Sequence, residues 1–212
     1  MAKPQNVLIG KTRGSVGDAT FSSWKGENVL KAKAVNAYSN PTIEQRNNNT
    51  KFGVVNIFAK SILAFILVGF KAMTAKMTDR NAFSKMNPYS KVVTGTAPNF
   101  TVDPTELVLA AGPELQGPVE YAVKAVDDAD TIMVNWPLNT LPLQDGKMYA
   151  AAFNNTSGEL VASSQGVATL DDNTLLMASP GLGTGINNHT VHLFYVNPAN
   201  GKACDSRIVP VA

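Results

Sequence analysis

The chain has 212 residues, enough for one large domain or two small ones, and only 16% of them are charged. Its single cysteine, Cys204, excludes an intrachain disulfide framework and fits an intracellular origin. The net charge is only +2, but it is unevenly placed: residues 1–96 hold 14 Lys+Arg against 4 Asp+Glu, and residues 97–212 hold 4 against 12. Such asymmetry marks two units with different electrostatic roles. A basic half suits nucleic acid or an acidic protein surface, and the acidic half of another copy is one such surface. Low charge beside many Asn, Thr, Ser and Ala also points to surface that partners cover.

The N-terminus, MAKPQNVLIGKTRG, lacks the apolar core and cleavage site of a signal peptide. Gly10, Gly14 and Gly17 then interrupt regular structure. Ala19–Trp24 and Asn28–Ala34 are expected as strands, turned at Lys25-Gly26-Glu27, where glycine supplies the positive φ of a tight reversal. A two-stranded hairpin is marginal in water, so this arm must lie on something.

Residues 40–96 read as helical. Asn40 suits an N-cap, Pro41 the first helical position, and Glu44 the positive helix end. Apolar residues recur with helical period at Phe52, Val55, Phe58, Ile62, Phe65 and Ile66, and Gly69 ends or bends the helix. The most apolar run, SILAFILVGF, covers Ser61–Phe70 between Lys60 and Lys71. A membrane span needs about 20 such residues, so a buried helix is expected and no membrane partner. Apolar over more than one stripe, this helix needs cover on several sides, and packing against other subunits is the expected source. A second helix is expected from Thr78, with Asp79 in its first turn and Ala82, Phe83 and Met86 on one face; Asn87-Pro88 breaks it.

Residues 97–212 read as short strands between turn signals, after a linker at Thr94–Phe100. The runs are Leu107–Ala110, Val119–Ala125, Thr131–Trp136, Met148–Asn154, Glu159–Ser163, Thr174–Ala178, Thr190–Val196 and Arg207–Val211. About seven strands in roughly 100 residues is the pattern of an immunoglobulin-like β-sandwich, with Trp136 as an inward aromatic. The expected fold class is therefore α+β: an N-terminal β-hairpin arm plus helical segment, then a C-terminal immunoglobulin-like β-sandwich. The domains are 1–96, a basic arm-plus-helix assembly domain, and 97–212, an acidic sandwich. No solenoid repeat is found.

Chemistry-bearing patterns are sparse. His189 and His192 stand three apart, which on a strand sends them to opposite faces and argues against a metal pair. Cys204, in the turn ANGKACDS, has no histidine close in sequence and reads as an inert thiol, with Lys202 nearby. Asp127-Asp128 with Asp130, and Asp171-Asp172, lack the glycine and distal glutamate of a calcium loop and read as turns. GLGTG, Gly181–Gly185, lacks the lysine and the strand–turn–helix setting of a phosphate loop; the early GKT lacks the upstream glycine. Lys11, Arg13, Lys25, Lys31 and Lys33 surround Phe21 and Trp24, a mixture that binds single-stranded nucleic acid in some proteins but more commonly faces solvent or a partner. No catalytic residue, metal or cofactor is expected. The expected assembly interface combines Lys11, Arg13, Phe21, Trp24, Lys25, Lys31 and Lys33 with Phe58, Ile62, Phe65, Ile66 and Phe70.

An ordered set of motifs carries a resemblance. Gly10-Lys11, Gly14, Val16-Gly17, Phe21 and Trp24-Lys25-Gly26 come first, then Asn40-Pro41-Thr42 with Gln45-Arg46. Gly69-Phe70-Lys71 and Asn81-Ala82-Phe83 follow. The chain thereby resembles a family of uncharacterised proteins of Bacteroidetes and their phages, most closely virion proteins of crAss-like tailed phages. The resemblance covers most of residues 10–96 and is looser after that. It implies a neck, tail or capsid component of a virion, without enzyme activity. The expected function is a ring-forming neck or tail subunit assembled head-to-tail from identical copies and neighbouring virion proteins. The alternatives are a capsid decoration or fibre module with a surface-binding sandwich, and a nucleic-acid-binding protein using the basic half.

Overall fold

The glycine-rich N-terminal stretch folds as a three-stranded antiparallel sheet, one strand more than the sequence predicts. The computed structural model describes residues 13–24, 26–33, 40–75, 77–114, 122–125, 131–136, 145–169, 172, 174–178 and 188–209. Contacts divide the chain into two units, Met1–Glu44 and Gln45–Ala212, whereas the sequence-based expectation sets its boundary at 96/97.

In the first unit β1 (Gly14–Val16) pairs with β2 (Ala19–Trp24), and β2 with β3 (Glu27–Ala32). Phe21 stands opposite both Gly14 and Leu30, and Ala19 opposite both Val16 and Ala32. Strand alternation therefore places Val16, Ala19, Phe21, Leu30 and Ala32 on one face. Ser15, Thr20, Ser22, Val29 and Lys31 occupy the other. The first face also carries Gly14, Ser23 and Asn28, so both faces mix apolar and polar residues, the first being the more apolar.

The second unit opens with a broken helix. α1 (Ile43–Ser61) carries Glu44 in its first turn and Lys60 in its last, both complementing the helix dipole. It starts later than expected: Asn40 and Pro41 precede it, and Thr42, itself a good capping residue, stands just before Ile43. The run read as one helix through Gly69 bends by 85° at Ile62, where α2 (Leu63–Gly69) begins. The Ser61 hydroxyl donates to the Phe58 carbonyl at 2.7 Å, while Ile62 N reaches that carbonyl only at 3.4 Å. Serine back-bonding of this kind competes with the helix ladder and lets the axis turn. α3 (Asp79–Met86) starts where predicted, capped by the Thr78 hydroxyl, which accepts from Asn81 N at 3.2 Å. It ends before Asn87-Pro88, and α4 (Tyr89–Val92) follows.

The expected linker Thr94–Phe100 is instead most of a β-hairpin, β4 (Val93–Thr96) with β5 (Asn99–Val102). β6 (Ala122–Ala125), β7 (Thr131–Asn135) and β10 (Thr174–Ala178) form one antiparallel sheet, ordered β10-β7-β6. A second contains β8 (Lys147–Asn154), β9 (Leu160–Thr169), β11 (His189–Asn197), β12 (Lys202–Ala203) and β13 (Arg207–Val209). β11 lies beside β8 and β8 beside β9, while β12 and β13 both pair with β11. The fold is mixed α+β, with antiparallel C-terminal sheets.

The second sheet covers the helices. Phe58 of α1 packs on Phe153 with ring centroids 5.6 Å apart. Phe65 of α2 sits edge-on to both Tyr149 and Phe194 at 6.3 Å, and those two rings stack at 5.3 Å. Met148, Ala150, Ala152, Val191, Leu193 and Tyr195 alternate with these residues on the opposite face and are also buried. β8 and β11 are thus interior on both faces.

Residues 107–111, expected partly as a strand, join no sheet. Side chains satisfy their backbone instead. Asn87, 1% exposed, donates from Nδ2 to Val108 O at 2.8 Å and to Phe83 O at 3.1 Å, and accepts from Val108 N at 2.7 Å. Ser206 Oγ accepts from Leu109 N at 2.9 Å, and Ser206 N donates to Ala110 O at 3.0 Å. The segment crosses the end of α2 so closely that a Cβ on Gly69 would collide with the Leu109 carbonyl.

Asn87→Ala removes the partners of the part-buried Val108 amide and carbonyl, so unfolding free energy in urea falls by about 1–3 kcal/mol. Gly69→Ala lowers it by about 1–3 kcal/mol through overpacking. The exposed Ser90→Ala stays within about 0.5 kcal/mol.

Candidate assembly surfaces

The residues expected at an interface separate into two sets. Phe58, Ile62, Phe65, Ile66 and Phe70 are between 0% and 9% exposed, buried in a core shared with β8 and β11. The cover assigned to other subunits comes from the chain's own sheet: Ile62, Phe65, Ile66 and Phe70 are at most 1% exposed, and only Phe58 keeps an edge open, to the groove beside Ile57. Phe70 additionally packs edge-on to Phe83 of α3 at 5.9 Å. The sequence pattern marks this helix as apolar on several sides, but a single chain supplies most of the cover.

The second set lies in the N-terminal sheet and before it. Arg13, Lys31 and Lys33 are exposed, and Phe21 is half-buried. Trp24 occupies β2 opposite Glu27. Lys11 and Lys25 fall outside the described residues, as do Asp127, Asp128, Asp130, Asp171 and the GLGTG stretch. No described side chain of this sheet is buried, and Val16 is 72% exposed. A three-stranded sheet draws its stability from a covered hydrophobic face, and among the described residues of its own unit none covers this one.

The outward side of the broken helix also keeps apolar surface. Ile57 is 69% exposed, and Leu63, Leu67 and Phe52 are exposed as well. Beside Ile57 a cavity of about 530 Å³ opens between α1, the β4–β5 hairpin and the β8–β9 turn. Val54, Ile57, Phe58, Phe100, Val102 and Leu160 give it an apolar lining, and Glu159 stands exposed among them. The Lys51 ammonium lies 5.1 Å from the Phe100 ring centroid. Gly158 shapes one wall: its φ is +71°, and a Cβ there would strike the Val102 carbonyl. Composition alone could not reveal this groove, because its walls come from segments roughly 50 residues apart, brought together by long-range packing such as Phe58 on Phe153.

The titratable groups of the core are held quiet. His192 and His189 occupy β11 at positions of opposite parity, hence on opposite faces. His192 Nε2 lies 2.8 Å from the Pro104 carbonyl, which only accepts, so Nε2 carries the proton; Nδ1 is buried with no hydrogen-bond partner. Burial pushes this imidazole down from 6.5 to about 4, against the smaller opposing effect of the Pro104 bond. Burial, then Cys204 and Glu114, push the Tyr195 phenol up to about 12. Cys204 is buried, its sulfur accepting from Tyr195 N at 3.3 Å and donating to Asp205 O at 3.4 Å. Asp172 accepts from Thr169 N at 2.6 Å and from its hydroxyl at 3.0 Å, the turn role expected of it; the backbone bond leads in lowering its pKa. Among the described residues no three His, Cys, Asp or Glu side chains gather as a metal site, and no single helix is long and apolar enough to cross a membrane.

This architecture defines an α+β chain with an apolar groove in its second unit and a small N-terminal antiparallel sheet. It belongs to the Family of unknown function (DUF6266), whose model matches residues 11–205. No curated protein matches the chain.

Because His192 holds fewer protons folded than unfolded between pH 6.5 and about 4, stability falls as pH drops through that window. The loss reaches about 3 kcal/mol near pH 4, at 1.36 kcal/mol per pKa unit. Urea titrations from pH 7 to 4 check this, with His192→Gln removing most of that slope.

Proposed function

We propose that this chain is a non-enzymatic structural subunit that assembles with copies of itself through its N-terminal sheet. The observation that carries the reading is the sheet's apolar face: Val16, Ala19, Phe21, Leu30 and Ala32 lie together on it, and none is buried. Exposed apolar faces of this kind mark protein–protein contacts. The basic side chains around it, Arg13, Lys31 and Lys33, suit an acidic neighbour, and the C-terminal half of the same chain is acidic. A contact between different surfaces of identical subunits is heterologous and closes into a ring when its rotation permits.

The setting follows from the motif resemblance to crAss-like phage virion proteins, which makes the neck or tail of a virion the proposed location. The C-terminal sheets are read as an immunoglobulin-like sandwich. In support, β8 and β11 are buried on both faces, and Ile132, Val134, Leu175, Met177 and Trp136 share their core.

Sedimentation of the full chain over a wide concentration range tests the assembly reading. The wild type self-associates, and Phe21→Asp weakens association at least about tenfold, since burying a Phe contributes about 1.5–3 kcal/mol. A wild type that stays monomeric throughout would contradict the reading.

A further inference from the structure

We propose that the pocket between α1 and α3 binds single-stranded nucleic acid, with phosphate held by Arg80 and Lys85 and a base laid on the Phe52 ring. The pocket lies wholly within the second unit, so it does not depend on the assembly reading above. Its volume is about 550 Å³, inside the range of roughly 300–1,000 Å³ that ligand sites occupy. Phe52 and Asn56, one helical turn apart, form the α1 wall; Arg80, Asn81, Ser84 and Lys85 form the α3 wall. Helical spacing sets those four on one face of α3, while Ala82 and Phe83 turn into the core.

The charge here is of one sign. Arg80 and Lys85 line the pocket, and no Asp or Glu does. Asp79, the neighbouring acid, is half-buried outside the lining. Residues 45–96, which contain both helices, hold 8 Lys+Arg against 1 Asp+Glu. Neither Arg80 nor Lys85 forms an ion pair among the described residues, so those residues supply no counter-ion. Arg80 is also held in place. Its Nη2 donates to the Asn56 carbonyl at 3.3 Å, which carries the guanidinium from α3 across to α1. A guanidinium has five N–H donors, and those left over suit a phosphate.

Phe52 names the rest of the ligand. Its period places it with the buried stripe of Val55 and Phe58, yet it is 52% exposed and the core leaves it out. An open aromatic ring beside two cations, with the amides and hydroxyl of Asn56, Asn81 and Ser84, is the combination that holds single strands: the polar groups take the backbone and the ring takes a base face. A duplex keeps its base faces in its own stack, so it offers phosphate to Arg80 and Lys85 but nothing to Phe52. An acidic peptide without aromatic residues answers only the charge.

Fluorescence anisotropy of the full chain tests the site, with a labelled oligothymidylate of about 10 nucleotides at about 50 mM salt. The strand is expected to bind at least about tenfold tighter than a duplex of equal length. Phe52→Ala weakens strand binding about tenfold and Phe52→Tyr restores it. Arg80→Gln and Lys85→Gln each weaken binding, and each lowers the log–log salt slope by about 0.7. All three residues are exposed, and an unchanged urea midpoint shows that each variant keeps its fold. Joint Lys31→Gln and Lys33→Gln substitution, in the N-terminal unit, leaves affinity within about threefold. A wild type that binds no strand overturns the proposal. Equal binding of the duplex, or no effect of Phe52→Ala, overturns it by removing the base contact. Polyglutamate bound as tightly as the strand overturns it in favour of an acidic protein partner. Loss of binding with the Lys31 and Lys33 changes, but not with those at Arg80 and Lys85, overturns it in favour of the N-terminal basic set.

Discussion

The packing of Phe65 against Tyr149 and Phe194, with Phe58 against Phe153 beside it, is the contact on which the second unit depends. It joins a helix from the first third of the sequence to two strands more than 80 residues later in the chain. The bend at Ile62 is what makes it possible. A straight helix from Ile43 to Gly69 would present one stripe along one line; bent by 85°, it applies Phe58 and Phe65 to the same sheet while Ile62 and Ile66 stay fully covered. Bracing by Asn87 and the bare backbone at Gly69 then let residues 107–111 close over the end of α2. These are neutral, well-satisfied contacts, and the buried His192 adds a polar group tolerated in its uncharged form.

Once that core is closed, the remaining apolar surface acquires meaning. A helix greasy on all sides is explained within one chain except along its outer line, where Ile57, Leu63 and Leu67 stay exposed. The N-terminal sheet has the opposite balance, with an apolar face and no buried side chain among those described. Exposed apolar surface of the chain thus gathers in two places, the N-terminal sheet and the groove beside Ile57. The function proposed for the chain grows from the apolar face of the N-terminal sheet.

Local signals in the sequence marked local structure well. The N-terminal hairpin, the Thr78 start of α3, its stop at Asn87-Pro88 and β10 at Thr174–Ala178 all follow from capping, turn and periodicity rules. Long-range features did not show. Residues 107–110 have strand composition, yet the hydrogen bonds of Val108, Leu109 and Ala110 go to Asn87 and Ser206, and those of Ala111 and Gly112 to Gly69 and Asp205, partners that no window around residue 108 contains. Thr94–Phe100 looks like a linker because Gly95 and Pro98 break periodicity, but the same residues turn a hairpin. Phe58, Ile62, Phe65, Ile66 and Phe70 show how periodicity identifies a buried stripe without saying whose atoms bury it. The apolar face of the N-terminal sheet was present as Val16, Ala19, Phe21, Leu30 and Ala32, and became visible only when register placed them side by side.

The central claim is that the 55–70 segment is covered by its own chain while the N-terminal sheet awaits another. Amide hydrogen exchange measured at low and at high protein concentration separates the two directly. The account predicts strong protection of Phe65–Phe70 amides at both concentrations, with β2 and β3 amides gaining protection only at the high one. Protection of Phe65–Phe70 that rises with concentration, beside β2 and β3 amides already protected when dilute, would contradict it.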